Sequence, residues 1–276
     1  MRIDGHTELI AHLGNPTHSF KSPLIYNPYF EAAGINALVV PMGCRADVFA
    51  DVLRSFFALE NARGALVTMP HKVSVVALLD EVSAVARVAG ACNAVRRAAG
   101  GRLVGDMFDG AGFVRGVQRK GFSLHGACAL VVGCGGVGSA IAGSLAASGV
   151  AELALFDLDA AAADALAGRL RAHYPAVVLR TGSNDPAGFD LVVNATPMGM
   201  SPGDPLPLDP GRLGPGTFVG EVVMASEVTP FLAAARARGC RTQVGTDMLF
   251  EMIPAYLEFF GLPTTSAEAL RATARL

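Results

Sequence analysis

The chain lacks the features that mark an extracellular, nucleic-acid-binding or membrane protein. Its five cysteines, Cys44, Cys92, Cys128, Cys134 and Cys240, form no C-x-x-C pair. They are expected to be reduced thiols, with no disulfide framework and no metal. Lysine and arginine gather in no dense run, and the formal net charge is -2, a balance that gives nucleic acid no electrostatic footing. The opening residues, Met1-Arg-Ile-Asp-Gly-His6, are too polar for a secretory hydrophobic segment, so a cytoplasmic protein is expected. A long uncharged stretch, Gly126 to Ala151, has the length of a membrane span. Its clustered glycines and strand-then-helix pattern argue against one. Internal repeats and low-complexity linkers are also missing. What remains is a protein with a small-molecule partner, no nucleic acid and no membrane, as a monomer or homodimer.

A chain of 276 residues can bury a sizeable core, and this length is read as two modest domains. Apolar runs alternate with helical patterns: strands near Leu9 to Gly14, Ala37 to Pro41 and Gly64 to Thr68, with helices over 23–33 and 46–59 between them. Shorter helices are expected over 73–79 and 81–89, and Ala98-Ala-Gly-Gly101 reads as a hairpin turn. The alternation resumes after Asp109 and continues to the C-terminus, which implies an α/β fold with parallel strands.

The strongest local signal is Val131-Val-Gly-Cys-Gly-Gly-Val-Gly-Ser-Ala140. Gly133, Gly135 and Gly138 stand in G-x-G-x-x-G spacing between a strand-like run and a helix-forming one. That spacing allows a tight turn, close approach to a pyrophosphate and close seating of helix on strand. The helix N-terminus, with Gly136 and Val137, offers unpaired N–H groups to the phosphates. A second apolar run, Glu152 to Phe156, ends at Asp157, about 20 residues beyond the loop, where an acid binds a ribose 2′-hydroxyl. Asp157 and Asp159 would repel a 2′-phosphate, so NAD is expected over NADP. The competing reading is that one of the two aspartates caps the following helix.

Two further features carry chemistry. Val67-Thr-Met-Pro-His-Lys72 places a lysine just after a strand and a proline-fixed turn, and Gly105-Asp-Met-Phe-Asp-Gly-Ala-Gly-Phe113 places Asp109 before glycines. Taken singly, Lys72 reads as a solvated amine and Asp109 as a cap or turn former. Together with Gly14-Asn-Pro, Lys21-Ser-Pro23, Gly90-Ala-Cys-Asn-Ala94, Asn194-Ala-Thr-Pro-Met-Gly-Met200 and Gly245-Thr-Asp-Met-Leu249, they closely resemble the shikimate and quinate dehydrogenase family over nearly the whole chain. The resemblance implies an N-terminal α/β substrate domain over 1–107, a Rossmann-type dinucleotide domain over 108–244 and a C-terminal helical segment over 245–276 that returns to the first domain. It implies reversible hydride transfer from a ring hydroxyl of a shikimate- or quinate-like hydroxy acid. Lys72 and Asp109 would be the catalytic pair, an amine beside a carboxylate taking the hydroxyl proton. Ser22, Thr68 and Asn93 would hold substrate, and Asn194, Thr196 and Gly245 would join the glycine loop at the cofactor. The rival reading is a non-catalytic NAD-binding or regulatory homologue.

The chain also departs from the family pattern. Phe20 stands where the first of two serines belongs, Leu66 replaces an asparagine, Met107-Phe108 replaces Asn-Thr, Met224 replaces a tyrosine, and Met252 takes the place of a glutamine. Phe20 and Met252 are therefore expected in the substrate pocket as apolar walls, with an altered substrate preference. Lys21 is a candidate to replace the lost carboxylate contact. Substrate hydroxyls facing such walls would each lose roughly 1–3 kcal/mol.

Overall fold

The structure, a computed structural model, describes residues 3–276. They divide into two compact units, one made of the residues up to Phe108 together with Ile253–Leu276, the other of Asp109–Met252.

The first unit begins with β1 (Glu8–Gly14), α1 (Pro23–Ala33), β2 (Ala37–Gly43), α2 (Phe49–Phe57) and β3 (Ala62–Val67). Pro23 pre-sets the first turn of α1, and Gly34 ends it at φ 67°, a left-handed conformation that glycine adopts without a Cβ penalty. On α2 the spacing of Phe49, Leu53, Phe56 and Phe57 turns one face inward, a helical stripe that packs on one side of the sheet with Ala11, Leu13, Ala65 and Val67. Then follow β4 (Glu81–Val82), α3 (Ala84–Ala89), β5 (Ala94–Arg97) and β6 (Leu103–Asp106). The six strands run in the order β2-β1-β3-β5-β6-β4. β1 pairs with β2 and β3 in parallel, whereas β3, β5 and β6 pair antiparallel, so the sheet is mixed. The expected hairpin closes with Ala98 N–H donating to the Arg102 carbonyl at 2.8 Å and Gly100 and Gly101 at positive φ.

Two expected helices of this unit change form. Residues 74–78 make a 3-10 helix with only Val75 buried; the β-branched Val73, Val75 and Val76 disfavour a longer α-helix, and the chain turns extended at Leu79. The helix expected over 81–89 divides: Glu81 and Val82 pair with β6, and α3 starts only after Ser83, whose hydroxyl accepts the Ala86 N–H at 3.1 Å. A serine cap at that position fixes the helix start.

The second unit comprises α4 (Asp109–Arg119), β7 (Cys128–Val132), α5 (Gly136–Ala147), β8 (Glu152–Phe156), α6 (Ala160–His173), β9 (Val178–Thr181), β10 (Leu191–Asn194), β11 (Phe218–Glu221), α7 (Pro230–Ala237) and β12 (Arg241–Gln243). Its strands lie in the order β9-β8-β7-β10-β11-β12, all parallel. This is the doubly wound 3-2-1-4-5-6 order, whose topological switch point falls between β7 and β10. Leu130, Val132, Val192 and Val219 pack on one face with Phe231 and Leu232 of α7, the near-continuous apolar strands of a sheet covered on both sides.

The division between units falls within α8 (Gly245–Phe259), and α9 (Ala267–Thr273) closes the chain. The C-terminal residues pack on the first unit. Arg63 donates to the Phe260 carbonyl at 2.6 Å, Tyr29 to the Pro263 carbonyl at 2.9 Å, and Arg275 N–H to the Leu24 carbonyl at 2.9 Å. Gly64 leaves room for the Phe260 ring, which a Cβ there would strike. Among the described residues no helix is long and apolar enough to cross a membrane.

Candidate active site

In the second unit the residues expected at the cofactor gather at the carboxyl ends of neighbouring strands. Gly133 follows β7 at φ 101°, and its N–H donates to the Phe156 carbonyl at 2.7 Å. A Cβ on Gly133 would sit 2.8 Å from the Ala195 backbone, and one on Gly138 would strike the Gly133 carbonyl. These two glycines are therefore required by the protein's own packing. Gly135 differs, since a Cβ there meets nothing within 4 Å. It is the N-cap of α5 and supplies no side-chain cap, which leaves the first amides of the helix, at Gly136 and Val137, for an anionic group. The donor set thus fits a dinucleotide pyrophosphate. Beside it, Asn194 Oδ1 accepts from the Thr196 N–H at 3.1 Å and hydroxyl at 2.6 Å, and Asn194 Nδ2 donates to the Met198 carbonyl at 3.1 Å. Asn194 and Thr196 thus shape the turn after β10. Gly245 opens α8 where a Cβ would strike the Val223 carbonyl.

The structure separates the roles of the two aspartates. Asp159 caps α6, accepting the Ala161 N–H at 3.0 Å. Asp157 accepts Cys134 N–H on one oxygen at 2.7 Å and Asp159 N–H on the other at 3.0 Å. It ties the glycine loop to the turn after β8.

One buried acid at this edge was not singled out from the sequence. Glu221 ends β11 fully buried and opposite Asn194 in the sheet register. Burial pushes its carboxyl up to about 7, against the downward pull of hydrogen bonds with Thr229 and Asn194. Thr229 donates its hydroxyl at 2.9 Å. A carboxyl raised in the folded state favours the protonated fold. Its contribution is full below the unfolded value near 4.5 and is lost as pH rises through about 7. The Glu221 contribution is therefore expected to fall by up to about 3 kcal/mol across that window. It is opposed below about pH 6.5 by the buried His12, whose lowered value makes stability rise with pH. The difference in stability between the unaltered chain and Glu221→Gln is expected to carry the Glu221 fall alone. Urea titrations of both proteins at pH 4.5 to 7.5 check this; parallel pH profiles would remove Glu221 as the cause.

In the first unit, Phe20 stacks on His12 with ring centroids 4.0 Å apart. Gly14 is hemmed in by Thr68, the Met69 carbonyl and the Phe20 ring. Phe20, Thr68 and Gly14 thus meet at the end of β1. Ser22 is buried at the N-cap of α1 and makes no side-chain capping bond. Asn93 is fully buried; its Oδ1 accepts the Phe108 N–H at 3.0 Å, whereas Nδ2 has no hydrogen-bond partner. Lys72 is half-buried. Its carbonyl accepts the Cys92 N–H at 2.8 Å, and the preceding His71 is buried, stacked on Phe49 at 4.0 Å and bonded through Nε2 to the Cys44 carbonyl at 2.9 Å. His71, absent from the expected site, anchors the segment that carries the lysine. Nothing in its sequence context distinguishes it from a surface histidine.

Of the remaining expected residues, Asp109 is buried as the first residue of α4. The glycines after it permit tight helix packing: a Cβ on Gly110 would strike Ala140 of α5, and one on Gly112 would lie 2.7 Å from Met252 Cβ. Met252 is itself buried on α8.

A doubly wound sheet with its glycine loop at the switch point, joined to a mixed α/β unit that presents a lysine after β3, defines an oxidoreductase that uses NAD(P) on a CH–OH group. The shikimate dehydrogenase substrate binding domain matches residues 13–95. A shikimate dehydrogenase (NADP(+)) of Rubrobacter xylanophilus is 36% identical over 90% of this chain and 88% of its own length. That of Salinibacter ruber is 38% identical over 99% and 100%. The Thermus thermophilus shikimate 5-dehydrogenase, solved with NADP(H) and shikimate, superposes with a TM-score of 0.85 at 27% identity, covering 97% of this chain and 100% of that one. The chain belongs to the shikimate dehydrogenase family.

These findings correct the cofactor expectation. NAD was expected over NADP from the charge of Asp157, yet both sequence relatives are NADP(+) enzymes and the Thermus structure holds NADP(H). The spacing argument treated Asp157 as a free carboxylate aimed at the ribose. In the fold both its oxygens already accept backbone amides, so its position after β8 does not by itself select the nucleotide.

Proposed function

We propose that the chain catalyses the reversible, NADP-linked oxidation of a ring hydroxyl of a shikimate- or quinate-like hydroxy acid, with a substrate preference altered by an apolar pocket wall. Lys72 takes the hydroxyl proton and returns it in the reverse direction. Asp109 supplies the carboxylate that orients the amine and holds a substrate hydroxyl. The bound nicotinamide supplies the hydride acceptor. Gly133, Gly135, Gly136, Val137 and Gly138 cradle its pyrophosphate, flanked by Asp157, Asn194, Thr196 and Gly245. Ser22, Thr68 and Asn93 bind the acid, and the unpartnered Nδ2 of Asn93 is a donor in need of an acceptor.

The observation that carries the altered preference is the Phe20 ring, stacked on His12 and against Gly14 at the position of a family serine. A hydroxyl-rich acid loses a polar partner there. Shikimate is therefore expected to be oxidised with a KM in the millimolar range, several kcal/mol short of a fully paired pocket. Phe20→Ser, alone and with Met252→Gln, is expected to raise kcat/KM for shikimate. Steady-state kinetics over a panel of cyclic hydroxy acids with NADP+ tests this. A micromolar KM for shikimate in the unaltered chain overturns the altered-pocket reading, and no turnover of any panel member overturns the activity itself.

A further inference from the structure

We propose that His12 is a substrate-contacting residue whose neutral imidazole reads a hydroxyl of the hydroxy acid, in place of the amide that Leu66 lacks. This rests on the activity proposed above and adds to it the group that sets specificity.

Side chains alternate across a strand. On β1, Ala11 and Leu13 face the α2 side and belong to its core cluster. His12 lies on the opposite face with Ile10 and Gly14. A histidine in the middle of a six-stranded sheet breaks an otherwise apolar run, and it is more than nine-tenths buried. Its Nδ1 has no hydrogen-bond partner, an arrangement that costs about 1–3 kcal/mol unless a ligand relieves it. The β1/β3 register pairs His12 with Leu66, so the two side chains stand next to each other on one face. Leu66 occupies the position at which the family pattern expects an asparagine, and Phe20, stacked on the imidazole, occupies that of a serine. Two polar positions have become apolar, and one polar ring has appeared between them.

The charge state of the ring fits a hydroxyl. Burial, with the positive charge of Lys72 as a smaller contribution, pushes His12 down to about 3, so the imidazole is neutral at any working pH. A neutral imidazole has one donor and one acceptor nitrogen. An alcohol, which both donates and accepts, matches that pair. A carboxylate would call for a cation. The charge of Lys72 is felt at His12, and on the activity proposed above the hydroxyl that His12 holds is a neighbour of the reacting one.

The competing account is a core histidine held only by its stack on Phe20. The two accounts differ in what His12→Val does to the whole enzyme with NADP+. Substrate contact predicts that KM for the best hydroxy acid of the panel rises at least about tenfold, with kcat within about threefold and NADP+ affinity unchanged. It also predicts that adding Leu66→Asn to His12→Val restores at least about a third of the lost kcat/KM. A purely structural role predicts a lower Tm with KM unmoved, and that result overturns the proposal. A second measurement is independent of turnover. In 15N-histidine-labelled protein, the ring resonances assigned to His12 by their loss in His12→Val are expected to shift when shikimate or quinate is added to saturation. Unmoved resonances overturn the proposal as well. Turnover without a His12 response removes this inference and leaves the activity standing. A His12 response without turnover does the reverse.

Discussion

Replacing Lys72 by methionine is expected to lower kcat by about 10²–10⁴-fold while the dissociation constant for NADP+ stays within about threefold of the unaltered chain. Methionine keeps much of the length and removes the amine, so, if Lys72 has the proposed role, a proton leaving the substrate hydroxyl has no base to reach. The backbone that carries Lys72 is held by the Cys92 N–H and by the buried His71, and those contacts do not involve the lysine side chain, so the fold is expected to survive. Residues expected at the dinucleotide belong to the other unit, which separates the two readouts. Asp109→Asn is expected to fall in the same range. The double substitution loses little more than the worse single one, because an amine and carboxylate that move one proton act as a unit. Lys72→Arg is not expected to rescue, since a guanidinium stays protonated. Stopped-flow and steady-state rates with calorimetric titration of NADP+ check all four proteins. Turnover of Lys72→Met near that of the unaltered chain would refute the assignment.

The second large effect concerns two glycines three residues apart. Gly138→Ala puts a methyl group onto the Gly133 carbonyl and 3.2 Å from Ala195 Cβ. Backbone on one side and a packed strand end on the other leave little room to yield, so a loss of about 1–3 kcal/mol of stability is expected. NADP+ binding should weaken with it. Gly135→Ala meets nothing within 4 Å and has no positive φ to lose, so the apo protein should unfold within about 0.5 kcal/mol of the unaltered chain. Its methyl group nonetheless stands where a pyrophosphate would approach α5, and NADP+ affinity is expected to drop at least about tenfold. Thermal unfolding with and without NADP+ reads both quantities. Equal ligand-induced stabilisation of Gly135→Ala and the unaltered chain would remove the loop from the cofactor site.

The parts of the fold that the sequence made legible are those where one local rule acts alone. The α/β alternation, the Gly133 to Gly138 spacing and the Ala98 to Gly101 turn each follow from backbone geometry and reappear in the structure. A two-residue strand such as Glu81–Val82 has no period to read, and its edge pairing with β6 was hidden inside an expected helix. The acidic residue after β8 was found where expected, but its meaning was misjudged, because spacing locates a carboxylate without saying which amides it already serves. His12 went unnoticed for a related reason. One polar residue in an apolar strand looks like noise until the register with Leu66 and the stack on Phe20 place it. Glu221 likewise needed the neighbouring strand to show that it is buried.

The interrupted first unit also bears on the order in which the protein can be made. Residues 109–252 form a sequence-continuous body, whereas the mixed sheet waits for 253–276, which emerge later during synthesis. Until Phe260 arrives, the side of β3 that it covers at Gly64 has no lid, and Arg63 has neither the Phe260 nor the Gly261 carbonyl to bond. A chain that stops before residue 253 therefore holds a complete dinucleotide fold and an incomplete substrate fold, and such a truncated chain, once released, should resist protease from Asp109 onward while its first hundred residues are cut.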